Sequence, residues 1–337
     1  MHVPVWVWGA TIAGFAAMFL FDFFSHVRKP HAPTMRESAL WSVFYISLAA
    51  IFGAGLWMVW GHDHGVEYFA GFITEKSLSV DNLFVFAIIM AKFAVPRIYQ
   101  QKALLIGIIM ALVMRGIFIA IGAAAINEFS WVFYIFGLFL LYTAFKLAIE
   151  SAQHKEQGAD DFEPNALVKF AQRHLPVTDE FHEQKLIARE NGKRVVTPLF
   201  LVVLTLGVTD LLFALDSIPA IYGLTQQPYI VFTTNAFALL GLLQLYFLLG
   251  GLLDRLVYLG FGLSLILAFI GVKLVMHAMV ENTLPFLNNG QSLDWVPHIS
   301  TVLSLSVIIG ILVVTTVASL LKSRHDRRRD KPIDTTS

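Results

Sequence analysis

The sequence EKSLSVDN at Glu75–Asn82 decides how the chain is interpreted, because it places two carboxylates inside a long apolar run. A second sequence, DLLFALDSIP at Asp210–Pro219, repeats its pattern of a carboxylate, five spacer residues, a second carboxylate and a small polar residue. One ionised side chain at the centre of a bilayer costs roughly 2.5–3.5 kcal/mol on insertion scales. Four such groups in two copies of one pattern indicate a functional site, and we expect that site to bind a metal ion.

The composition identifies an integral membrane protein. Of the 337 residues, 57% are hydrophobic and 14% are charged, and the mean hydropathy is +0.68, whereas soluble domains carry about 25% charged residues. The formal net charge is zero, so the chain has no overall positive field and we expect no nucleic-acid partner. The chain contains no cysteine, which excludes disulfides and thiolate metal ligands.

Hydropathy predicts an all-α polytopic membrane protein, a single membrane domain over residues 1–337. A transmembrane helix needs about 20 mostly apolar residues, and this rule gives about nine transmembrane helices. The predicted spans are roughly 5–25, 39–60, 68–91, 103–126, 130–150, 198–222, 229–252, 256–280 and 298–321. Residues 151–197 form a polar loop between the fifth and sixth spans, and residues 322–337 form a basic tail.

The positions of Lys and Arg predict the orientation of these spans. One set of alternate connections, which includes the turns near Gly61 and Asn127, contains no Lys or Arg. The other set contains Arg28, Lys29, Arg36, Arg97, Lys102, the basic residues of 151–197, Arg255 and the arginines of the tail. Cytoplasmic loops of membrane proteins carry an excess of Lys and Arg. We therefore expect a multi-pass protein with its N-terminus outside and its C-terminus in the cytoplasm.

The cytoplasmic loop 151–197 is the one sizeable soluble segment, and it mixes charges of both signs. Its simplest interpretation is a solvated linker between two halves of the protein, and the alternative is a loop that binds protein partners. Leu167–Leu175 and Phe181–Asn191 have the pattern of short amphipathic helices. The tail 322–337 either anchors the C-terminus on the cytoplasmic side or binds anionic lipid.

Spans 3–5 and spans 6–8 have the character of two copies of one unit. The two acidic motifs align residue for residue at a constant offset of 135. Later in each copy, FGLFLLYTAFKL, ending near Lys146, resembles GLSLILAFIGVKL, ending near Lys273. Span 3 runs inward and span 6 runs outward, so we predict two inverted three-helix repeats, an architecture of secondary transporters. Chance similarity between apolar helices is the alternative.

The two motifs supply oxygen ligands. Side chains six residues apart differ by about 120° on an ideal helix, and those seven apart share a face. An all-oxygen set suits hard cations such as Mg²⁺, Ca²⁺ or Mn²⁺. We expect Pro219 to bend or break the second motif helix and to free backbone carbonyls for the site. The predicted metal ligands are Glu75, Asp81, Asn82, Asp210, Asp216 and Ser217. Alternatively, the acids form ion pairs between helices and bind nothing.

Several auxiliary residues complete the predicted site. Asp22, near the inner end of span 1, either completes an ion pathway or is solvated among the lipid headgroups. Asn235 is either a further oxygen ligand or the partner in an interhelical hydrogen bond. Buried or nearly buried basic side chains would neutralise the site when it is empty, and the candidates are Lys76, Arg115, Lys146 and Lys273.

The motifs EKSLSVDNLFVF and DLLFALDSIPAI, followed by NAFALLGL and YFLL, resemble those of the TerC family of integral membrane proteins. The resemblance extends over nearly the whole chain. It implies a nine-span inner-membrane protein with the acids placed as above. Family members are named for tellurium resistance, some are described as redox modulators, and better-understood relatives export Mn²⁺. One departure is visible at Gln244, where the family pattern has an arginine.

These observations favour a secondary transporter that exports a divalent metal ion. The residues alone do not distinguish Mn²⁺ from Ca²⁺ or Mg²⁺, and the resemblance implies Mn²⁺. We expect the ion to cross by alternating access between spans 3 and 6, with proton exchange on the same carboxylates as a driving force. We expect no enzymatic activity and no tightly bound cofactor, since the metal is the transported substrate. The alternative is a non-transporting scaffold in redox or tellurite stress that acts through partners. The sequence leaves the oligomeric state open.

Overall fold

The computed structural model is helical apart from one small hairpin. It describes residues 1–27, 33–129, 131–152, 173, 175–178, 180–182, 184–190, 193–249, 258–282, 288, 291, 293, 295–297 and 299–329. The side chains at positions 81, 84, 127, 249 and 324–329 lie outside the described part.

Ten α-helices are formed by the described residues. They are α1 Val5–Asp22, α2 Met35–Trp60, α3 His62–Lys92, α4 Arg97–Glu128, α5 Val132–Ala152, α6 Pro198–Tyr222, α7 Pro228–Leu240, α8 Leu242–Leu249, α9 Leu259–Val280 and α10 Thr301–Arg329. A π-helical turn, Phe23–Val27, continues α1. Local sequence explains several helix starts: Thr34 and Glu37 form a capping box before α2, and prolines occupy the first position of α6 and of α7.

Within the described residues, eight segments are long and apolar enough to cross a membrane. They are Val5–Ser25, Met35–Trp60, Arg97–Ile126, Val132–Ala152, Pro198–Tyr222, Pro228–Leu248, Leu259–Val280 and Thr301–Ser323. Each matches a predicted span, so the prediction of a polytopic helical membrane protein is confirmed. The predicted span 68–91 lies within α3, whose 31 residues extend about 46 Å. Its charged motif makes α3 less apolar than the other segments.

The soluble loop contains a β-hairpin where a helix was predicted. Strands β1 (Ile187–Glu190) and β2 (Lys193–Val196) pair antiparallel, with Glu190 opposite Lys193. The two residues between the strands are Asn-Gly in the sequence, the dipeptide most typical of tight hairpins. The prediction of a helix over Phe181–Asn191 is therefore wrong, because turn chemistry outweighed a weak amphipathic pattern. The other predicted helix, Leu167–Leu175, lies almost entirely outside the described residues.

The hairpin segment packs against the N-terminal end of α4. The Lys102 ammonium donates a hydrogen bond to the Gln184 carbonyl oxygen at 2.7 Å, and the Gln184 amide donates to the Ile98 carbonyl at 3.4 Å. The rings of Tyr99 and Phe181 lie 6.3 Å apart between their centroids. Part of the predicted linker is thus an ordered element attached to a membrane helix.

The helices group into two compact units. The first unit contains α1–α4, the hairpin and α6–α8. Within it, α3 packs on α2, α6 and α7, while α4 packs on α6 and α7. Most residues of α6 between Leu199 and Tyr222 are buried. This packing brings the two motif helices, α3 and α6, into direct contact.

The second unit contains α5, α9 and α10, and its principal contact is between α5 and α9. Two glycines allow the backbones of these helices to meet. A Cβ atom on Gly137 would lie 2.9 Å from the Gly271 carbonyl oxygen, and one on Gly271 would lie 3.0 Å from the Gly137 carbonyl oxygen. Small residues at helix interfaces permit this close approach in membrane proteins.

Candidate functional site

The first acids of the two motifs meet inside the first unit. Glu75 on α3 and Asp210 on α6 are both buried, and the helices that carry them pack on one another. Ser217, two turns after Asp210, returns to the same face of α6 because seven residues make nearly two helical turns. Helix α7 contributes the buried Asn235, and α4 contributes Arg115, whose side chain is 0% exposed.

The Arg115 guanidinium joins these four oxygen-bearing side chains. Its Nε atom donates to Asp210 Oδ2 at 2.8 Å, and Nη2 donates to Asp210 Oδ1 at 3.2 Å. Its Nη1 atom donates to Glu75 Oε1 and lies 3.0 Å from Ser217 Oγ and 2.7 Å from Asn235 Oδ1. The Arg115–Asp210 pair is bidentate, the strongest geometry for a guanidinium and a carboxylate. We call these five side chains the Arg115 cluster.

One carboxylate oxygen of the cluster is left over. Glu75 Oε2 is buried and has no hydrogen-bond partner among the described residues, and the same holds for Ser79 Oγ one turn further along α3. A buried polar atom without a partner costs free energy unless something else satisfies it. The cluster therefore retains acceptor capacity that Arg115 does not use.

The other three predicted metal ligands, Asp81, Asn82 and Asp216, also lie on α3 and α6. Asn82 is buried on α3, and Asp216 is half-buried on α6 and engaged with a neighbour. Asp81 lies within α3, and its side chain is outside the described part. Among the described residues, no three or more His, Cys, Asp or Glu side chains are grouped so as to hold a metal ion. The structure thus shows Glu75, Asp210 and Ser217 of the predicted ligand set together around a guanidinium.

The predicted neutralising cations fall into different environments. Arg115 is at the centre of the cluster, and Lys76 is half-buried with its ammonium donating to the Ala238 carbonyl oxygen at 3.0 Å. Lys273 in the second unit donates to Ser304 Oγ at 3.0 Å. Lys146 is 63% exposed and pairs with Glu150 at 3.8 Å, one turn away on α5. The expectation that Lys146 is buried is wrong, because α9 covers the opposite side of α5.

Asp22 is buried, and it accepts a hydrogen bond from the Tyr45 hydroxyl. The interpretation that Asp22 is solvated among the lipid headgroups is therefore wrong. Helix α2 has a buried polar face that was not predicted, where Ser38, Ser42 and Tyr45 recur at helical spacing. That spacing, which is visible in the sequence, was the available signal.

Two further positions differ from simple expectation. Helix α6 continues through Pro219 to Tyr222, so Pro219 does not break the helix, because it lies in the last turn, where little helix remains to be disrupted. The alternative, a bend at Pro219, stays a prediction. Gln244, at the start of α8, is buried, and neither its amide nitrogen nor its amide oxygen has a partner among the described residues. The departure from the family pattern thus coincides with an unsatisfied buried side chain.

Comparison with known proteins identifies the family of this chain. The integral membrane protein TerC family matches residues 60–327. This chain belongs to the TerC family. The match begins just before α3 and includes both acidic motifs, Arg115 and Asn235. The resemblance inferred from the motifs is confirmed.

Relatives within the TerC family cover nearly the whole chain. The "Uncharacterized membrane protein Rv2723" of Mycobacterium tuberculosis is 47% identical over 94% of this chain and 80% of its own length. The "Uncharacterized membrane protein STKORF319" of Myxococcus xanthus is 40% identical, with coverages of 95% and 93%. The "Putative membrane-bound redox modulator Alx" of Escherichia coli is 36% identical, with coverages of 96% and 97%. No solved structure matches this chain significantly.

Proposed function

We propose that this TerC-family protein is a secondary transporter that exports a divalent metal ion, Mn²⁺, through the acidic site between α3 and α6. The observation that carries the proposal is the burial of Glu75 and Asp210 on two different helices around one guanidinium. With Ser217 and Asn235 they present a set of oxygen donors, which hard divalent cations prefer. The choice of Mn²⁺ follows the family resemblance.

The packing of the helices supports the inverted repeat that this mechanism uses. In that repeat α3, α4 and α5 correspond to α6, α7 and α9. If the two sets are equivalent, a contact between α3 and α7 requires the equivalent contact between α6 and α4. Both contacts are present. The contacts of α3 with α6, of α4 with α7 and of α5 with α9 are unchanged by the exchange, and all three are present. We infer a ninth span, α3, whose acidic Glu75 is buried.

The proposed orientation places the N-terminus outside and the C-terminus in the cytoplasm of the inner membrane. The basic residues at the start of α4, Arg97 and Lys102, then face the cytoplasm together with the hairpin, as the excess of positive charge in cytoplasmic loops requires. The transported ion would enter from this side. Alternating access around Glu75 and Asp210 would release it outside, with protons exchanging on the same carboxylates.

Mn²⁺ uptake into everted membrane vesicles tests the proposal. We expect Asp81→Asn, Asp216→Asn and Glu75→Gln each to reduce uptake at least about tenfold, the scale found when groups around metal sites are removed. Glu128→Gln is the matched control, because this exposed acid at the end of α4 lies outside both motifs. Parental uptake by both motif-acid variants, Asp81→Asn and Asp216→Asn, would refute the site. A panel of Mn²⁺, Ca²⁺ and Mg²⁺ would identify the ion.

We keep a second candidate function, a membrane scaffold that acts through soluble partners without transport. The attachment of the hairpin to α4 through Lys102 and Gln184 favours it, because an ordered loop offers a surface to a partner. The name of the Escherichia coli relative, a redox modulator, also fits a stress-related role. Deleting most of the loop 151–197, including the hairpin, while preserving membrane insertion separates the two. Loss of metal or tellurite resistance with intact Mn²⁺ uptake would favour the scaffold.

A further inference from the structure

We propose that Arg115 is a tethered cation that occupies the transport site when it is empty, and that the transported divalent ion binds by displacing the Arg115 guanidinium. This inference rests on the proposed function and assigns Arg115 a role in it. Its basis is that the oxygens suited to a divalent cation, on Glu75, Asp210 and Asn235, are the oxygens that the guanidinium contacts.

The guanidinium holds its position through helices other than its own. Arg115 belongs to α4, whereas its acceptors lie on α3, α6 and α7. Its bonds to Glu75, Asp210 and Asn235 therefore join four helices of the first unit at one point. A movement of α4 relative to α3 and α6 would withdraw the positive charge and leave the oxygens facing one another. Displacement of Arg115 would thus couple ion binding to helix movement.

Charge gives a divalent ion the advantage over the guanidinium. An arginine side chain remains protonated in proteins, so Arg115 leaves the cluster only by moving. Its single charge compensates one of the two carboxylates in contact with it, Glu75 and Asp210, whereas a divalent ion compensates both. The Lys76 ammonium bonds to the Ala238 carbonyl and does not take the place of the guanidinium. A monovalent cation carries the same charge as Arg115, so it compensates no more of the carboxylate charge than the guanidinium does.

The unused oxygen of Glu75 provides independent support. Glu75 Oε2 is buried and without a partner among the described residues while Arg115 occupies the cluster. An incoming ion can use this oxygen as well as Oε1, since a carboxylate binds metal ions through one or both oxygens. The site therefore offers a metal one more ligand atom than it gives the guanidinium. That difference favours exchange once an ion arrives.

The return of Arg115 would drive release of the ion. A buried site with two carboxylates and no resident cation would bind a divalent ion tightly and lose it slowly. The guanidinium competes for the same oxygens, so it weakens equilibrium binding and permits turnover. Removing the guanidinium is therefore expected to strengthen binding of the divalent ion and, at the same time, to slow its transport.

The experiment compares the parent protein with Arg115→Gln and Arg115→Lys, all purified in detergent in parallel with the exposed-cation control Arg97→Gln. Mn²⁺ binding is followed by loss of the paramagnetic resonance signal of the free ion, and uptake is measured in everted vesicles. We expect Arg115→Gln to bind Mn²⁺ about tenfold more tightly, equivalent to about 1.4 kcal/mol, and to lose most of its uptake. Arg97→Gln should bind like the parent. Arg115→Lys keeps the charge but cannot form the bidentate pair with Asp210, so its affinity for Mn²⁺ should lie between those of the parent and Arg115→Gln.

The direction of the binding change separates a competitor from a purely structural arginine. Damage to the site weakens binding, so equal or weaker Mn²⁺ binding by Arg115→Gln overturns the inference. Failure to recover folded Arg115→Gln even with Mn²⁺ present also overturns it, because the ion would then not replace the guanidinium. If the parent neither binds nor transports Mn²⁺, the proposed function itself fails. If the parent binds and transports Mn²⁺ and Arg115→Gln does so equally well, the proposed function is retained. Only the role of Arg115 is then rejected.

Discussion

The two compact units hold their helices together in different ways. Every charged side chain that is buried among the described residues belongs to the first unit: Asp22, Glu75, Arg115 and Asp210. The second unit brings α5 and α9 together through backbone contact at Gly137 and Gly271, and its Lys146 is largely exposed. A buried charge is costly in a membrane and usually marks a function. The contrast is between buried charges in the first unit and direct backbone contact of two helices in the second.

Removing an acid from the Arg115 cluster should give the largest loss of stability. In Asp210→Ala, two nitrogens of the buried guanidinium lose their acceptor, and breaking a buried ion pair from one side costs about 3–5 kcal/mol. Unfolding in detergent, followed by tryptophan fluorescence, measures the loss. Asp63→Ala is the control, because the Asp63 side chain is 96% exposed. A loss below about 1 kcal/mol, the level of an exposed pair, would contradict the importance of the cluster for stability.

A smaller loss is expected at Asp22, the buried acid of the first unit that lies outside the Arg115 cluster. Tyr45→Phe removes the hydroxyl that donates to Asp22, and hydrogen bonds to charged groups contribute about 1.5–3 kcal/mol. Tyr142→Phe is the matched control in the second unit, since Tyr142 is largely exposed. The same unfolding measurement applies to both variants. If Tyr45→Phe and Tyr142→Phe reduced stability equally, the buried hydrogen bond to Asp22 would not distinguish the first unit from the second.

The stability of the second unit should depend on the small side-chain volume at the contact between α5 and α9. Gly271→Ala places a Cβ atom 3.0 Å from the Gly137 carbonyl oxygen, and overpacking of this kind costs typically about 1–3 kcal/mol. Gly310→Ala on α10 is the control, because no atom lies within 4 Å of the added Cβ. We expect Gly310→Ala to be neutral or slightly stabilising, since alanine is the better helix former. An unaffected Gly271→Ala would show that α5 and α9 separate without cost.

The smallest effect concerns the hairpin and depends on pH. Hydrogen bonds from Thr178 and from His182 lower the pKa of the Glu190 carboxyl. A lowered pKa in the folded state stabilises the hairpin above the ordinary pKa of glutamate, and this contribution disappears as the pH falls through the lowered value. The protection factors of the β1 and β2 amides, which are exchange rates corrected for the intrinsic effect of pH, should fall over that acidic range. Glu190→Gln should show no such fall, and an identical pH response in that variant would exclude Glu190 as its cause.

Part of the site could be predicted from the sequence because its signal is local. The repeated spacing of carboxylates identifies Glu75 and Asp210 without knowledge of the fold, and both are in the cluster. The central place of Arg115 could not be predicted in the same way. Its partners lie 40, 95 and 120 residues away in the sequence, and hydropathy says nothing about which helices meet. The hairpin was missed for another reason, since its Asn-Gly turn signal was overlooked.

The sequence by itself determined that this is a helical membrane protein, where nearly all of its spans lie and which acids are unusual. These properties depend on composition and on periodicity within single helices. Only the tertiary structure decided that Glu75 and Asp210 share Arg115, that Asp22 is buried beneath Tyr45 and that Lys146 is exposed. The physical reason is that desolvation and charge pairing depend on contacts between distant helices. A carboxylate in a span is costly wherever it occurs, and its neighbours determine how that cost is met.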